Sequence, residues 1–123
     1  VERDPRAVAV AEGTGDRDVA GPGAVRRHVG SAEDLVERLR DPAVVVANPP
    51  RGGMDPRVTA GIAARRPARI AYISCDPATL ARDLGRLCGE DGAGGYRVTG
   101  MQPFDLFPQT AHVEIVALLE RTG

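Results

Sequence analysis

The sequence predicts an α/β domain built on a mainly parallel sheet, and three observations predict it. Short apolar runs alternate with amphipathic segments from about residue 26 to residue 88. Two of those segments open on an Asp-Pro pair, Asp55-Pro56 and Asp76-Pro77, in which the carboxylate caps free amides and proline takes the first helical position. The last third carries two strand-like runs with only a loop between them, so the final strand returns antiparallel.

In chain order, residues 13–23 hold several glycines and little apolar content, and they read as loop. Residues 26–29 are a weak strand candidate, with apolar character only at Val25 and Val29. Ser31 precedes Glu33, Asp34, Leu35, Val36 and Leu39, a capped helix with acids in its first turn that runs to about Leu39. Val44-Val45-Val46-Ala47 and Arg69-Ile70-Ala71-Tyr72-Ile73 are too short for helices, and both read as buried strands. Asp55-Pro56 opens a helix with Val58, Ile62 and Ala63 on one side; Asp76-Pro77 opens another with Leu80, Leu84 and Leu87, ending near Cys88. Gly-rich residues 89–95 form a loop. Strands follow from Tyr96 to Met101 and from His112 to Leu119, joined by a loop over residues 102–111.

Composition bounds the function. The chain has 123 residues, 42% of them hydrophobic, enough for one domain or part of one. A net charge of −1 excludes a domain that holds nucleic acid mainly by bulk charge. All 16 basic residues are arginine, a compositional bias rather than a binding device. Cys75 and Cys88 lie thirteen positions apart with no close cysteine pair, so neither a disulfide framework nor a zinc site is signalled. No apolar run approaches the roughly 20 residues of a membrane span, and the opening Val1-Glu2-Arg3-Asp4 does not read as a signal peptide. A soluble cytoplasmic protein is the expectation.

Ligands of open parallel sheets bind where loops leave the carboxyl ends of the strands. Asn48-Pro49-Pro50-Arg51 follows the first strong strand and Ser74-Cys75-Asp76-Pro77 follows the second. If the Tyr96 strand runs parallel to these, the returning strand brings His112 and Glu114 to the same edge. Asn48, Cys75 and Glu114 then share one crevice. A thiol just before a helix start is favoured as thiolate by the free amides and the helix dipole. A carboxylate opposite it serves as a base once the sulfur has formed an adduct. Asn48, stiffened by two prolines, offers an amide donor and acceptor. Taken singly, each has a plainer role: a lone Cys at a strand end is commonly a small core hydrophobe, as Cys88 is read, and Asn before proline is commonly turn chemistry.

Three blocks carry a resemblance. They are Asn48-Pro49-Pro50-Arg51-Gly52-Gly53; Tyr72-Ile73-Ser74-Cys75-Asp76-Pro77-Ala78-Thr79-Leu80-Ala81-Arg82-Asp83-Leu84; and Asp105-Leu106-Phe107-Pro108-Gln109-Thr110-Ala111-His112-Val113-Glu114. In this order they resemble the RNA 5-methyluridine (uracil-C5) methyltransferases, over roughly residues 42–120. The resemblance implies a Rossmann-like, S-adenosylmethionine-dependent fold. It implies Cys75 as the nucleophile that adds to C6 of uracil and Glu114 as the base that removes the C5 proton. It places Glu2, Ser31 and Asn48 at the cofactor, S-adenosyl-L-methionine, with Glu2 on the ribose hydroxyls, Ser31 bordering the adenine and Asn48 near the methionine end and the target base. Asn-Pro-Pro-Arg is similar to the branch acting on 23S ribosomal RNA, which makes ribosomal RNA the expected partner ahead of transfer RNA. Asp76 stands where the family usually has Asn.

The same resemblance implies that the chain is a partial catalytic domain. The first strand, its Gly-rich loop, an RNA-binding domain and the iron-sulfur cysteines of many relatives would lie in a preceding part of a larger enzyme. Two alternatives stay open at this point. Amino-group methyltransferases use Asn-Pro-Pro followed by an aromatic residue, where this chain has Arg51. A non-catalytic remnant of the fold would keep the architecture without binding cofactor.

Overall fold

The computed structural model describes residues 6, 28–89, 94–106, 108–110 and 112–123. The chain forms two compact units, residues 1–39 and residues 40–123.

In the first unit, Val29 makes a single β-bridge and α1 spans Ala32–Leu35, with a 3₁₀ turn over Val36–Arg38 completing the expected helical segment. Ser31 is its N-cap: its hydroxyl accepts from the Asp34 amide at 3.2 Å and donates to the Asp34 carboxylate at 2.6 Å. The expected loop over residues 13–23 lies outside the described residues, as do residues 26 and 27 of the weak strand candidate.

In the second unit, the elements are β1 (Val44–Ala47), α2 (Pro56–Arg65), β2 (Arg69–Ser74), α3 (Pro77–Cys88), β3 (Tyr96–Phe104) and β4 (Glu114–Arg121). The sheet order is β1-β2-β4-β3. β1 runs parallel to β2, and β4 is antiparallel to both of its neighbours, β2 and β3. The sheet is therefore mixed, with β1, β2 and β3 pointing one way and the last strand inserted against them.

Both long helices start as their sequences dictate. Asp55 accepts from the Arg57 amide and Asp76 from the Thr79 amide, each followed by proline at the helix start. Such caps satisfy amides that have no partner within the helix. The helices α2 and α3 lie in contact, and their apolar residues Val58, Ile62, Leu80, Leu84 and Leu87 are all buried. Along β2 and β4, alternate residues Ile70, Tyr72, Leu119 and Ala117 are buried, and they pair as Ile70 with Leu119 and Tyr72 with Ala117. Opposed residues of an antiparallel ladder share a face, so these four form one packed layer. Burial of a side chain such as Ile70 or Leu87 stabilises the unit by about 1.5–3 kcal/mol, and Leu87→Ala would cost about 2–5 kcal/mol.

Three expectations need correction. β1 is not a buried strand: Val44 is 54% and Val46 69% exposed. They share the face of Ala71, Ile73, Val116 and Leu118, and Leu118 is itself 48% exposed, so one side of the sheet stands open in this unit. β3 does not end at Met101 but continues to Phe104 through pairing of Gln102 with Val116, Pro103 with Ile115 and Phe104 with Glu114. Proline is tolerated there because β3 is an edge strand, where a ladder donor is dispensable on one side. β4 begins at Glu114 rather than His112.

Candidate active site

The sheet register sets the geometry of the site. Ala47, the last residue of β1, pairs with Tyr72, and Ser74, the last residue of β2, pairs with Ile115. Phe104, the last residue of β3, pairs with Glu114, the first of β4. Asn48, Cys75 and Glu114 therefore stand on one edge of the sheet. The β2–β4 ladder ends at Ser74 and Ile115, so Cys75 and Glu114 each lie one residue from its last pair.

The elbow at Cys75 is held from both sides. The Ser74 hydroxyl donates to the Asp76 carbonyl at 3.0 Å and accepts from the Asp76 amide at 3.1 Å, so the chain turns sharply between β2 and α3. Asp76 then caps α3, accepting from the Thr79 amide at 2.9 Å. That bond, aided by the nearby Arg51 charge, holds the Asp76 carboxyl below its usual range. The negative charge beside Cys75 is thus engaged with helix amides. Cys75 is half-buried, at the first step of the helix entrance. Cys88, also half-buried, has its thiol pushed up by burial, as suits a packing thiol in α3.

Arg51 connects the three sequence blocks. Its guanidinium donates to His112 Nδ1 at 3.0 Å. Its carbonyl accepts from the Thr79 hydroxyl at 3.0 Å, and its charge acts on Asp76. The loop after β1, the elbow after β2 and the entry to β4 are joined at this residue. The pairing of Arg51 with His112 has no local sequence signal, since 61 positions separate the two.

Beneath Arg51 the turn is clamped to α3. Gly53 donates to Pro50 O at 2.8 Å, the Met54 amide donates to Asp83 Oδ2 at 2.7 Å, and Arg82 and Arg86 donate to Gly52 O and Met54 O at 2.9 and 3.1 Å. Asp83 is fully buried and also accepts from Tyr72 Oη at 2.7 Å, from Arg82 at 3.0 Å and from Arg86 at 3.0 Å. Burial, together with that bond to Asp83, pushes the Tyr72 hydroxyl far above its usual value, so it stays a proton donor.

Of the residues expected at a cofactor, Asn48 is exposed just beyond β1. Its amide makes no side-chain hydrogen bond among the described residues and is available to a ligand. Ser31 uses its hydroxyl within its own helix cap, and Glu2 lies outside the described residues. On the open side of the sheet, Gly100, Met101, Gln102, Phe104, Val116 and Leu118 line a hollow of about 370 Å³. Among the described residues no cluster of His, Cys, Asp or Glu is arranged to hold a metal ion, and no helix is long and apolar enough to cross a membrane.

Comparison with known proteins bears on this arrangement. Residues 34–122 match the tRNA (uracil-5-)-methyltransferase family. The chain is 55% identical over 93 residues to an uncharacterized RNA methyltransferase of Gloeobacter violaceus, covering 76% of this chain and 19% of that one. It is 51% identical over 94 residues to another of Geobacter sulfurreducens, covering 73% and 18%. The chain thus spans about a fifth of the length of the curated relatives it matches. Its fold is similar to the crystal structure of Pyrococcus abyssi tRNA (uracil-54, C5)-methyltransferase in complex with S-adenosyl-L-homocysteine. That match has a TM-score of 0.61 and 35% identity, and it covers 75% of this chain and 21% of that one.

Proposed function

This chain belongs to the tRNA (uracil-5-)-methyltransferase family, and from that premise we propose that it is the catalytic portion of an enzyme that methylates C5 of uracil in RNA. The observation that carries the reading is the edge of the sheet that these residues share: Cys75 follows directly on β2, Glu114 opens β4, and the β2–β4 ladder ends at the pair of Ser74 with Ile115.

C5 of neutral uracil is a poor nucleophile, and a covalent step supplies the missing electron density. The Cys75 thiolate adds to C6, forming an Sγ–C6 bond and moving the C5–C6 π electrons into an enolate. S-Adenosylmethionine, when bound, supplies the electrophilic methyl group that C5 takes up. Glu114 then accepts the C5 proton, the C5–C6 double bond re-forms and the Sγ–C6 bond breaks, returning the thiolate. The target base leaves its stack to reach the edge of the sheet. Cys75 at a helix entrance suits thiolate chemistry. The free amide of Asn48 fits a role beside the methionine end of the cofactor and the base. Glu2 and Ser31 are proposed at the ribose and the adenine on the strength of the resemblance.

Within RNA, the Asn48-Pro49-Pro50-Arg51 block favours ribosomal RNA, and a cytoplasmic site of action follows from that substrate. The Arg51 guanidinium, committed to His112, stands where amino-group methyltransferases of the Asn-Pro-Pro type place an aromatic residue. The test is mass analysis of nucleosides after the whole protein acts on undermodified ribosomal and transfer RNA. The reading predicts 5-methyluridine, formed in the ribosomal RNA. A methylated exocyclic amine would contradict the reaction, and 5-methyluridine confined to transfer RNA would contradict the choice of substrate.

A further inference from the structure

We infer that Asp83 and Thr79 are positioning residues, which fix the turn after β1, and with it Asn48, against the helix that begins beside Cys75. The inference rests on the reaction proposed above, but the contacts that support it do not.

Four side chains of one helix reach a single short turn. Thr79 Oγ1 donates to Arg51 O at 3.0 Å, Arg82 to Gly52 O at 2.9 Å and Arg86 to Met54 O at 3.1 Å, while Asp83 accepts from the Met54 amide at 2.7 Å. Positions 79, 82, 83 and 86 follow the spacing of one helical face, so the clamp is a property of α3 as a rigid body. The turn packs closely on the clamp: Gly53 has φ +76°, and an added Cβ there would lie 2.5 Å from both Arg82 Nη2 and Asp83 Oδ2. Between the clamped turn and Asn48 stand only Pro49 and Pro50, which have fixed φ and restrict the residue before them. Rigidity at Arg51–Met54 is therefore transmitted to Asn48. The far end of α3 is set by the Asp76 cap one residue after Cys75. One helix thus carries the nucleophile's elbow and the support of the opposite loop.

Asp83 serves as the centre of the clamp. Its four donors come from the turn (Met54), from β2 (Tyr72) and from α3 itself (Arg82 and Arg86). It touches no surface that a substrate could reach, being fully buried, so its effect on the reaction is through Asn48 and not through contact.

The test compares Thr79→Val, Thr79→Ser and Asp83→Asn in the full chain. Thr79→Val keeps the size and branching of the side chain and removes the donor to Arg51 O at 3.0 Å together with the longer bond to Asp76 O at 3.3 Å, while the Thr79 backbone amide still caps to Asp76. Amide hydrogen exchange is read on the protein alone, and kcat and KM are read separately for methyl transfer. Thr79→Val is expected to speed exchange of the Gly53 and Met54 amides about tenfold while α3 and β2 amides keep their protection. It is expected to lower kcat about tenfold with KM for RNA unchanged, and Thr79→Ser is expected to restore both. Asp83→Asn is expected to act in the same direction and more strongly. Unchanged exchange in the turn, or an unchanged kcat in a Thr79→Val protein whose turn has loosened, overturns the inference. So does a fall in kcat accompanied by general loss of protection through α3 and β2, which marks a merely structural role. A wild-type protein that makes no 5-methyluridine refutes the proposed reaction instead, and exchange still decides whether the clamp exists.

Discussion

Cys75 and Glu114 each stand one residue from Ser74 and Ile115, the last pair of the antiparallel ladder between β2 and β4. Backbone pairing therefore brings two residues 39 positions apart in the sequence to the same edge of the sheet. The Ser74 hydroxyl then pins the turn at Asp76, and Phe104 pairs with Glu114 from the other side. In the proposed reaction, a nucleophile and a base held at one edge of the sheet need little reordering on meeting a substrate.

Glu114→Gln tests the division of labour. In the proposed reaction, addition by Cys75 and methyl uptake need no carboxylate, but removal of the C5 proton does. The variant is expected to lose about 10²- to 10⁴-fold in turnover while accumulating a covalent protein–RNA species, visible as a shifted band on a denaturing gel. A variant with wild-type turnover would contradict the role given to Glu114.

Gly53→Ala tests the tight turn below Arg51. At φ +76° a side chain costs about 1–2 kcal/mol from the backbone alone, and the clash with Arg82 and Asp83 adds to it. Urea denaturation should show a lower midpoint with an unchanged slope. A midpoint equal to wild type would show that the turn is free to move.

Acid stability reports on the helix caps. Asp55 and Asp76 are each held below the ordinary value of 3.8, chiefly by the backbone amides of Arg57 and Thr79 respectively. Because the folded values lie below the unfolded ones, the stabilisation is present in full above the unfolded value and is lost as pH falls through the folded values. Denaturation midpoints should therefore drop below about pH 4. Asp55→Asn and Asp76→Asn together, which keep capping oxygens without titrating, should flatten that limb. An identical acid limb in the double variant would show that other carboxylates govern it.

The parts of this molecule that were legible in sequence are those written locally. The Asp-Pro starts at Asp55 and Asp76 announce their helices because cap and proline act within one turn, and the Val44–Ala47 strand announces itself by its branched side chains. Its environment was not legible, since a run of valines looks the same whether one face or both are covered, and Val46 proves exposed. The continuation of β3 to Phe104 depends on pairing with β4, which a segment ending in Pro103 does not reveal by itself. The edge shared by Asn48, Cys75 and Glu114 followed from strand direction alone. The clamp did not, because its bonds join side chains of α3 to backbone groups 28 to 32 positions away. Backbone acceptors carry no residue-type signal.

Cys75→Ala tests the central claim most directly, with the whole protein acting on undermodified RNA and both product nucleosides and covalent protein–RNA species measured. The account predicts a folded variant that forms neither 5-methyluridine nor any covalent species. Normal production of 5-methyluridine by that variant would contradict it.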